Sequence, residues 1–349
     1  MSEWKDLRSL TMDELTEAVV GAGEKKFRAK QIYGWLHRKL VRSPEEMKNV
    51  PRDLLSRLTE DHPLYGVTEI ERYVSGLDGT MKFLFRLHDG NLIESVLMKY
   101  KHGNSVCISS QAGCRMGCRF CASTLMGLAR NLTPAEMLDQ IYAIRSATGE
   151  RVSNVVVMGT GEPFDNYESL SRMITILTDP EGMNLGSRSI TVSTCGIIPM
   201  IYRFADEHPQ VNLAISLHAS NDATRRELMP VARSYGMDQL MEAARYYVDK
   251  TRRRITFEYS LVKGVNDHRR QAEELAGLVR GLNCHINLIP VNPIRERDYQ
   301  QADTGHIAAF KGLLEQKHIQ VTVRREMGRD ISAACGQLRK GYKERNGER

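Results

Sequence analysis

The sequence describes an α/β chain in three parts: a small N-terminal helical domain (residues 1–62), an antiparallel β-meander extension (63–103) and an incomplete (βα)6 barrel (104–327), followed by a C-terminal segment (328–349). Three patterns lead to this reading. Residues up to about 60 repeat their apolar positions at helical spacing, residues 67–100 alternate with a period of two, and beyond Ser105 short apolar strands alternate with amphipathic helices. A chain of 349 residues with 41% apolar content can bury one large core and a smaller one.

At the N-terminal end, Thr11 heads an apolar-periodic run, and Ser43, Pro44, Glu45 and Glu46 spell a capping box with proline at the first helical position. Between Lys25 and Arg42 lie seven cations (Lys25, Lys26, Arg28, Lys30, Arg38, Lys39, Arg42) and no acid, interleaved with Phe27, Tyr33 and Trp35. Two readings stand here, a phosphate-gripping helix or a solvated cationic face over a small aromatic core. In the meander Met81, Phe83, Phe85 and Leu87 share one face, with turn signals at Gly76–Gly79 and at Asp89–Gly90. Barrel strands are expected to begin near Val106, Val152, Ile190, Asn212, Ile255 and His285, and Thr133, Pro134, Ala135 and Glu136 open a helix with a second capping box. A helix over 304–317 and a strand over 320–325 follow, and the polar tail after Gly341 reads as mobile.

Composition excludes several classes. No run of about 18 apolar residues is present to span a bilayer, and the first residues are charged rather than apolar, so a cytoplasmic protein is expected. Seven cysteines, an odd number, argue against a disulfide framework. The net charge of +6 permits nucleic-acid contact without demanding it, and Arg252–Arg254, Arg324 with Arg325, and Arg339, Lys340, Lys343 and Arg345 add further basic clusters.

The chemistry concentrates at Cys114, Cys118 and Cys121, spaced C-x3-C-x2-C within eight residues. Three thiolates can hold three irons of a cubane iron-sulfur cluster and leave the fourth open to a substrate molecule. Zinc is the competing reading, but it normally takes four ligands, and no second close pair of Cys or His stands at finger-like spacing. Gly113 and Gly117 allow the loop to fold tightly, and Phe120 precedes the last ligand.

In βα barrels the active site gathers where strands end, and polar residues recur there. The second strand is followed by Met158, Gly159, Thr160, Gly161, Glu162 and Pro163, where the glycines admit close backbone approach and Glu162 offers an acceptor. Later strands end in Ser193, Thr194, Cys195; in Ser216, Leu217, His218; and in Pro290, Val291, Asn292, Pro293. Each alone is also explained as a helix cap. Their common position at one rim favours a site.

The cysteine motif and the segment Met158–Pro163, with Cys107–Gln111, Ser216–His218 and Ala334–Leu338, resemble the radical S-adenosylmethionine enzymes, and within them the RlmN/Cfr adenine methyltransferases of large-subunit ribosomal RNA. The stretch Arg325–Cys335 resembles the RlmN branch, which methylates carbon-2 of an adenine in 23S rRNA and, in some bacteria, of the adenine beside the tRNA anticodon. The resemblance implies a radical S-adenosylmethionine barrel in which Cys114, Cys118 and Cys121 hold a [4Fe-4S] cluster. It further implies that Gly161, Glu162, Ser193, Ser216, Leu217, His218 and Asn292 bind S-adenosylmethionine, two molecules being used per turnover. By the same likeness Cys335 is methylated on sulfur and joins transiently to the RNA, Cys107 closes a disulfide with Cys335 to release product, and Glu94 accepts a proton. Read from the residues alone, Glu94 is an exposed strand position, and Cys195 and Cys284 are core or rim cysteines. The implied partners are 23S rRNA and tRNA, gripped by the N-terminal helices, and a low-potential donor such as flavodoxin; a monomer is expected. The alternatives are a carbon-8 methyltransferase of the Cfr type, a radical enzyme of another substrate class, and an RNA-binding protein with a structural metal.

Overall fold

The computed structural model describes residues 5–292, 294, 296–331 and 342. Three helices come first: α1 (Met12–Gly21), α2 (Phe27–His37) and α3 (Arg52–Asp61). α1 begins as its sequence dictates, since Thr11 Oγ1 accepts the Glu14 N–H while the Glu14 carboxylate accepts the Thr11 N–H. The box at Ser43 starts only a 3-10 turn, Pro44–Glu46. Too few residues separate it from Pro51 for an α-helix to nucleate, and α3 starts directly behind that proline.

Much of the cationic stretch makes contacts within the chain, at its surface. Lys30 pairs with Glu181 at 2.7 Å, Arg28 donates to the Asn49 carbonyl at 3.0 Å, Arg38 Nε donates to the Gly182 carbonyl at 3.1 Å, and Lys39 Nζ lies 3.4 Å from the Trp35 ring centre. Lys25, Lys26, Lys30, Arg38, Lys39 and Arg42 are all exposed, so the stretch stays cationic at the surface.

The meander is β1 (Thr68–Val74), β2 (Met81–Arg86) and β3 (Leu92–Tyr100), all antiparallel. Next come β4 (Gly103–Ile108), a small ribbon of β5 (Gln111–Gly113) and β6 (Leu128–Asn131), and α4 (Pro134–Thr148). Alternation then sets in: β7 (Val152–Val157), α5 (Tyr167–Thr178), β8 (Ile190–Thr194), α6 (Ile198–Glu207) and β9 (Asn212–Ser216). The chain continues through α7 (Asp222–Leu228), α8 (Met237–Thr251), β10 (Ile255–Leu261), α9 (Arg269–Leu278), β11 (Cys284–Pro290), α10 (Thr304–Gln316) and β12 (Gln320–Val323).

One ten-stranded sheet runs β1-β2-β3-β4-β7-β8-β9-β10-β11-β12, parallel from β4 onward. Its end strands β1 and β12 do not meet, so the barrel is open as the sequence indicates, and β12 joins the six expected strands as a seventh parallel one. The period-two alternation separates two faces. Val106, Val155, Val192, Leu213, Phe257 and Ile286 point outward into the helical layer, in a core shared with Leu15, Ile32 and Leu54 of the N-terminal helices. The inner face carries the site. Among the described residues no helix is long and apolar enough to cross a membrane.

Candidate active site

The cysteine loop leaves the sheet through the β5–β6 ribbon. Gly113 (φ 92°) must be glycine, because a Cβ there would lie 2.0 Å from the Gly127 carbonyl oxygen, and Gly117 turns the loop at φ 71°. Its backbone is tied at several points: Cys114 N–H donates to the Gly127 carbonyl (3.0 Å), Arg119 N–H to the Leu228 carbonyl (2.9 Å), and Thr124 Oγ1 to the carbonyls of Cys118 (3.2 Å) and Cys121 (2.9 Å). Cys118 packs with Cys195, Leu228 and Met229, and Met116, Phe120 and Cys121 cover this cluster.

The segment after β7 is braced against the end of β4. A Cβ at Gly159 would stand 2.7 Å from the Ile108 carbonyl oxygen, and one at Gly161 (φ 113°) 2.7 Å from Ser110 Oγ and Gln111 Cβ. The close approach read from these glycines is thus an approach of the chain to itself. Glu162 is buried, and its carboxylate accepts from Cys195 N–H (2.7 Å), Thr194 Oγ1 (2.7 Å) and Phe164 N–H (3.0 Å), while its own N–H donates to Gln111 Oε1 (2.8 Å). Burial raises its pKa against these donors. One acid therefore pins three loops.

His218 sits in the left-handed region at φ 54°, buried, with Phe120 edge-on at 4.7 Å. Ser260 N–H donates to its Nδ1 at 2.9 Å, which leaves the ring proton on Nε2. Burial, with the Arg225 charge nearby, lowers its pKa to about 3, so the ring is neutral.

These residues enclose a cavity of about 220 Å³ at the mouth of the barrel. Cys114, Cys118, Cys121, Gly161, Glu162, Ser193, Ser216 and His218, all singled out from sequence, line it, together with Met158, Cys195, Glu258, Ser260 and Arg324. Leu217 does not: its side chain is wholly buried in the outer core, although its N–H donates to the Glu258 carbonyl at 3.0 Å. Asn292, half-buried just behind β11, is also outside the lining. A wider groove of about 600 Å³, with Arg119, Lys263, Arg297 and Tyr299 in its wall, shares the cysteine loop.

Cys107 and Glu94 lie deeper on the inner face. Cys107 is opposite Val96 on β3 and Val156 on β7, packed with Met98, Met158 and Met327. Glu94 is two residues before Val96, on the same face. It is buried rather than exposed, in an ion pair with Lys82 Nζ at 3.0 Å. The alternation alone could not show this, because the sheet is covered on both sides here. Cys284 faces the outer core. Cys335 and the rest of 332–341 lie outside the described residues, as does the tail beyond Tyr342.

Some buried residues near the site have no sequence signal: Lys82 and Arg225 sit at positions where local pattern suggests only a solvated strand or helix face. The inward period of β10 is the one sign that could have marked Glu258. Its carboxylate accepts from Asn287 Nδ2 at 2.9 Å, and burial raises its pKa.

The donor set fits a cluster better than a single ion. The three thiols are electrostatic neighbours, and burial pushes Cys114 up to about 12 and Cys118 higher still, a cost that a bound cationic metal centre reverses. Three thiols lining one cavity are the donor set that a cubane left one ligand short takes.

Comparison with known proteins agrees. Residues 108–276 match the radical SAM superfamily, and residues 5–63 match the ribosomal RNA large subunit methyltransferase N-terminal domain. A protein of Lachnoclostridium phytofermentans named a probable dual-specificity RNA methyltransferase RlmN is 56% identical, over 98% of this chain and 96% of its own. One of the same name from Lachnospira eligens is 58% identical over 97% of each. The crystal structure of a radical SAM methyltransferase from Sphaerobacter thermophilus superposes with a TM-score of 0.91 at 46% identity, covering 95% of this chain and 98% of that one. The chain belongs to the RlmN family of radical S-adenosylmethionine RNA methyltransferases, which work with a [4Fe-4S] cluster and two molecules of S-adenosylmethionine.

Proposed function

We propose that this enzyme methylates carbon-2 of an adenine of 23S rRNA in the peptidyl transferase centre, with the adenine beside the tRNA anticodon as a second substrate. Carbon-2 is electron-poor and beyond the reach of simple nucleophilic methyl transfer. When bound, the cluster and S-adenosylmethionine supply a methyl group and a hydrogen-abstracting 5′-deoxyadenosyl radical. Cys114, Cys118 and Cys121 hold the cluster; Gly161, Glu162, Ser193, Ser216 and His218, with the backbone at Leu217 and with Asn292, hold the cofactor.

The thiol of Cys335 receives the methyl group and carries it to the base, joining protein and RNA for part of the cycle. Glu94 takes the proton that leaves carbon-2, and Cys107 closes a disulfide with Cys335 as product departs. The observation that carries this reading is Met158, which packs against the cluster that holds Cys107 and also lines the cysteine cavity, so the resolving thiol adjoins the cofactor space. Met327, eight residues before Cys335, touches the same cluster, and Asp330 accepts from Ser75 Oγ at 2.6 Å on the meander. Lys82 holds the Glu94 carboxylate on that inner face. The groove, where Arg119, Lys263 and Arg297 stand beside Glu296 and Asp298, offers some cations to RNA phosphates, and an extruded base would enter at the barrel mouth. A low-potential flavodoxin as electron donor, a monomeric state and a cytoplasmic location complete the proposal.

Mass spectrometry of 23S rRNA and tRNA from a deletion strain carrying wild-type or Cys335→Ala enzyme tests it. Wild type should restore 2-methyladenosine and Cys335→Ala should not; 8-methyladenosine instead would mean the carbon-8 reaction, and unchanged RNA another substrate. Cys107→Ala should accumulate a covalent protein–RNA adduct on denaturing gels.

A further inference from the structure

The mechanism leaves a buried cation without a role. Arg225, on α7, has no exposed surface. Its Nη2 donates to the carbonyls of Cys195 (2.7 Å) and Ser216 (3.4 Å), and its Nε to that of Leu217 (3.3 Å), while Nη1 meets no acceptor. Among the described residues no carboxylate forms an ion pair with it; its strongest electrostatic neighbours are the Cys195 and Cys118 sulfurs, which pack together, ahead of Asp222 one turn away. The same helix end is fastened to the cysteine loop, since Leu228 accepts the Arg119 N–H at 2.9 Å.

A guanidinium stays protonated, so burying it without a counter-ion costs several kcal/mol unless a negative group arrives. Carbonyl dipoles compensate only part of that cost. A cubane held by three thiolates is a net anion in either redox state and gains another negative charge on accepting an electron. We propose that Arg225 is the counter-cation of the cluster: its fixed charge beside Cys118 stabilises the bound and, more strongly, the reduced centre. Arg225 is then a positioning residue that touches neither substrate nor cofactor and sets how readily one electron from a low-potential donor is accepted. This rests on the assignment of Cys114, Cys118 and Cys121 as cluster ligands.

The test uses full-length wild type, Arg225→Gln and Arg225→Lys, purified without oxygen, each cluster-free and after reconstitution with iron and sulfide, with no RNA present. Redox titration followed by electron paramagnetic resonance should find the Arg225→Gln cluster accepting its electron about tenfold less readily, ~59 mV more negative for a one-electron couple, with Arg225→Lys close to wild type. Cluster-free Arg225→Gln should melt no lower than cluster-free wild type, while its reconstituted form loses stability. An unchanged potential, an equal melting loss in both forms, or failure of Arg225→Gln to fold at all overturns the proposal and leaves Arg225 as a brace for three carbonyls. If wild type itself takes up no iron and sulfide, the cysteine assignment falls and this proposal with it; a loaded wild type with no shift in the variant sinks the proposal alone.

Discussion

The inner face of the sheet has two unlike halves. From β3 to β7 it carries Val96, Met98, Cys107 and Val156, with Met158 just beyond and the Glu94–Lys82 pair beside them, whereas from β8 to β12 polar side chains predominate, Thr191, Ser193, Ser216, Glu258, Ser260, Asn287 and Thr322 among Ala214 and Ile289. The polar half is cross-linked internally: Asn287 donates to Glu258, Thr322 Oγ1 donates to Asn287 Oδ1 at 3.1 Å, and Ser260 N–H donates to His218. A filled structural barrel would place apolar layers on both halves. Under the proposed function the difference corresponds to separate tasks, with hydroxyls and amides on one side for a charged, hydroxyl-rich cofactor and a methionine-lined wall on the other for the thiol chemistry.

The largest effect belongs to the loop that joins the halves. Cys118→Ala should leave no detectable cluster and no methylation, read from iron and sulfide content and from methyl incorporation into RNA, while the cluster-free fold persists because the loop is held by backbone bonds to Gly127 and Leu228. Cluster uptake at wild-type level would remove the three-thiolate assignment. The apolar half is broken next at the buried ion pair of Lys82 with Glu94. Lys82→Met removes the ammonium that pairs with the buried Glu94 carboxylate and should cost ~3–5 kcal/mol in urea unfolding, whereas Lys82→Met with Glu94→Leu should recover most of it, although without activity.

These contrasts also mark how far the sequence could be read. The strand positions, the open barrel and the cysteine loop were legible because period-two alternation, capping boxes and glycines act within a few residues of one another. Gly113, Gly161 and Glu162 were visible for the same reason. Lys82 and Arg225 were not, since their burial depends on strands and helices brought together from far along the chain. Glu94 read as exposed for want of knowing that β2 and β3 are covered on both faces. Leu217 lies among the rim residues in sequence but turns outward, because a strand's side chains alternate and Ser216 already faces inward.

Glycines sharpen the comparison at intermediate size. Gly161→Ala places a Cβ 2.7 Å from Ser110 and Gln111 at φ 113°, so it should cost at least ~2 kcal/mol and loosen the polar half where Glu162 braces it. Gly34→Ala on α2, with nothing within 4 Å, should instead stabilise the protein by ~0.5–1 kcal/mol. Urea midpoints that move alike for both would show that the tight contact between β4 and the loop after β7 is dispensable.

The smallest effect is a pH slope. His218 in the polar half and His37 beneath the N-terminal helices are both buried, and burial lowers each to about 3. Unfolded, each takes up a proton near pH 6.5, so between about 6.5 and 3 the unfolded chain binds more protons than the folded one. Stability from each is therefore complete above pH 6.5 and declines by ~1.4 kcal/mol per pH unit as acid is added through that window. His218→Asn is the informative variant, because asparagine tolerates φ 54° and its side-chain oxygen can accept the Ser260 N–H in place of Nδ1. Urea unfolding at pH 7 and pH 5.5 should show that variant losing ~1.4 kcal/mol less than wild type, with the slope due to His37 intact. Equal losses would mean that His218 is already protonated in the folded state, and that the polar half admits a positive charge beside Arg225.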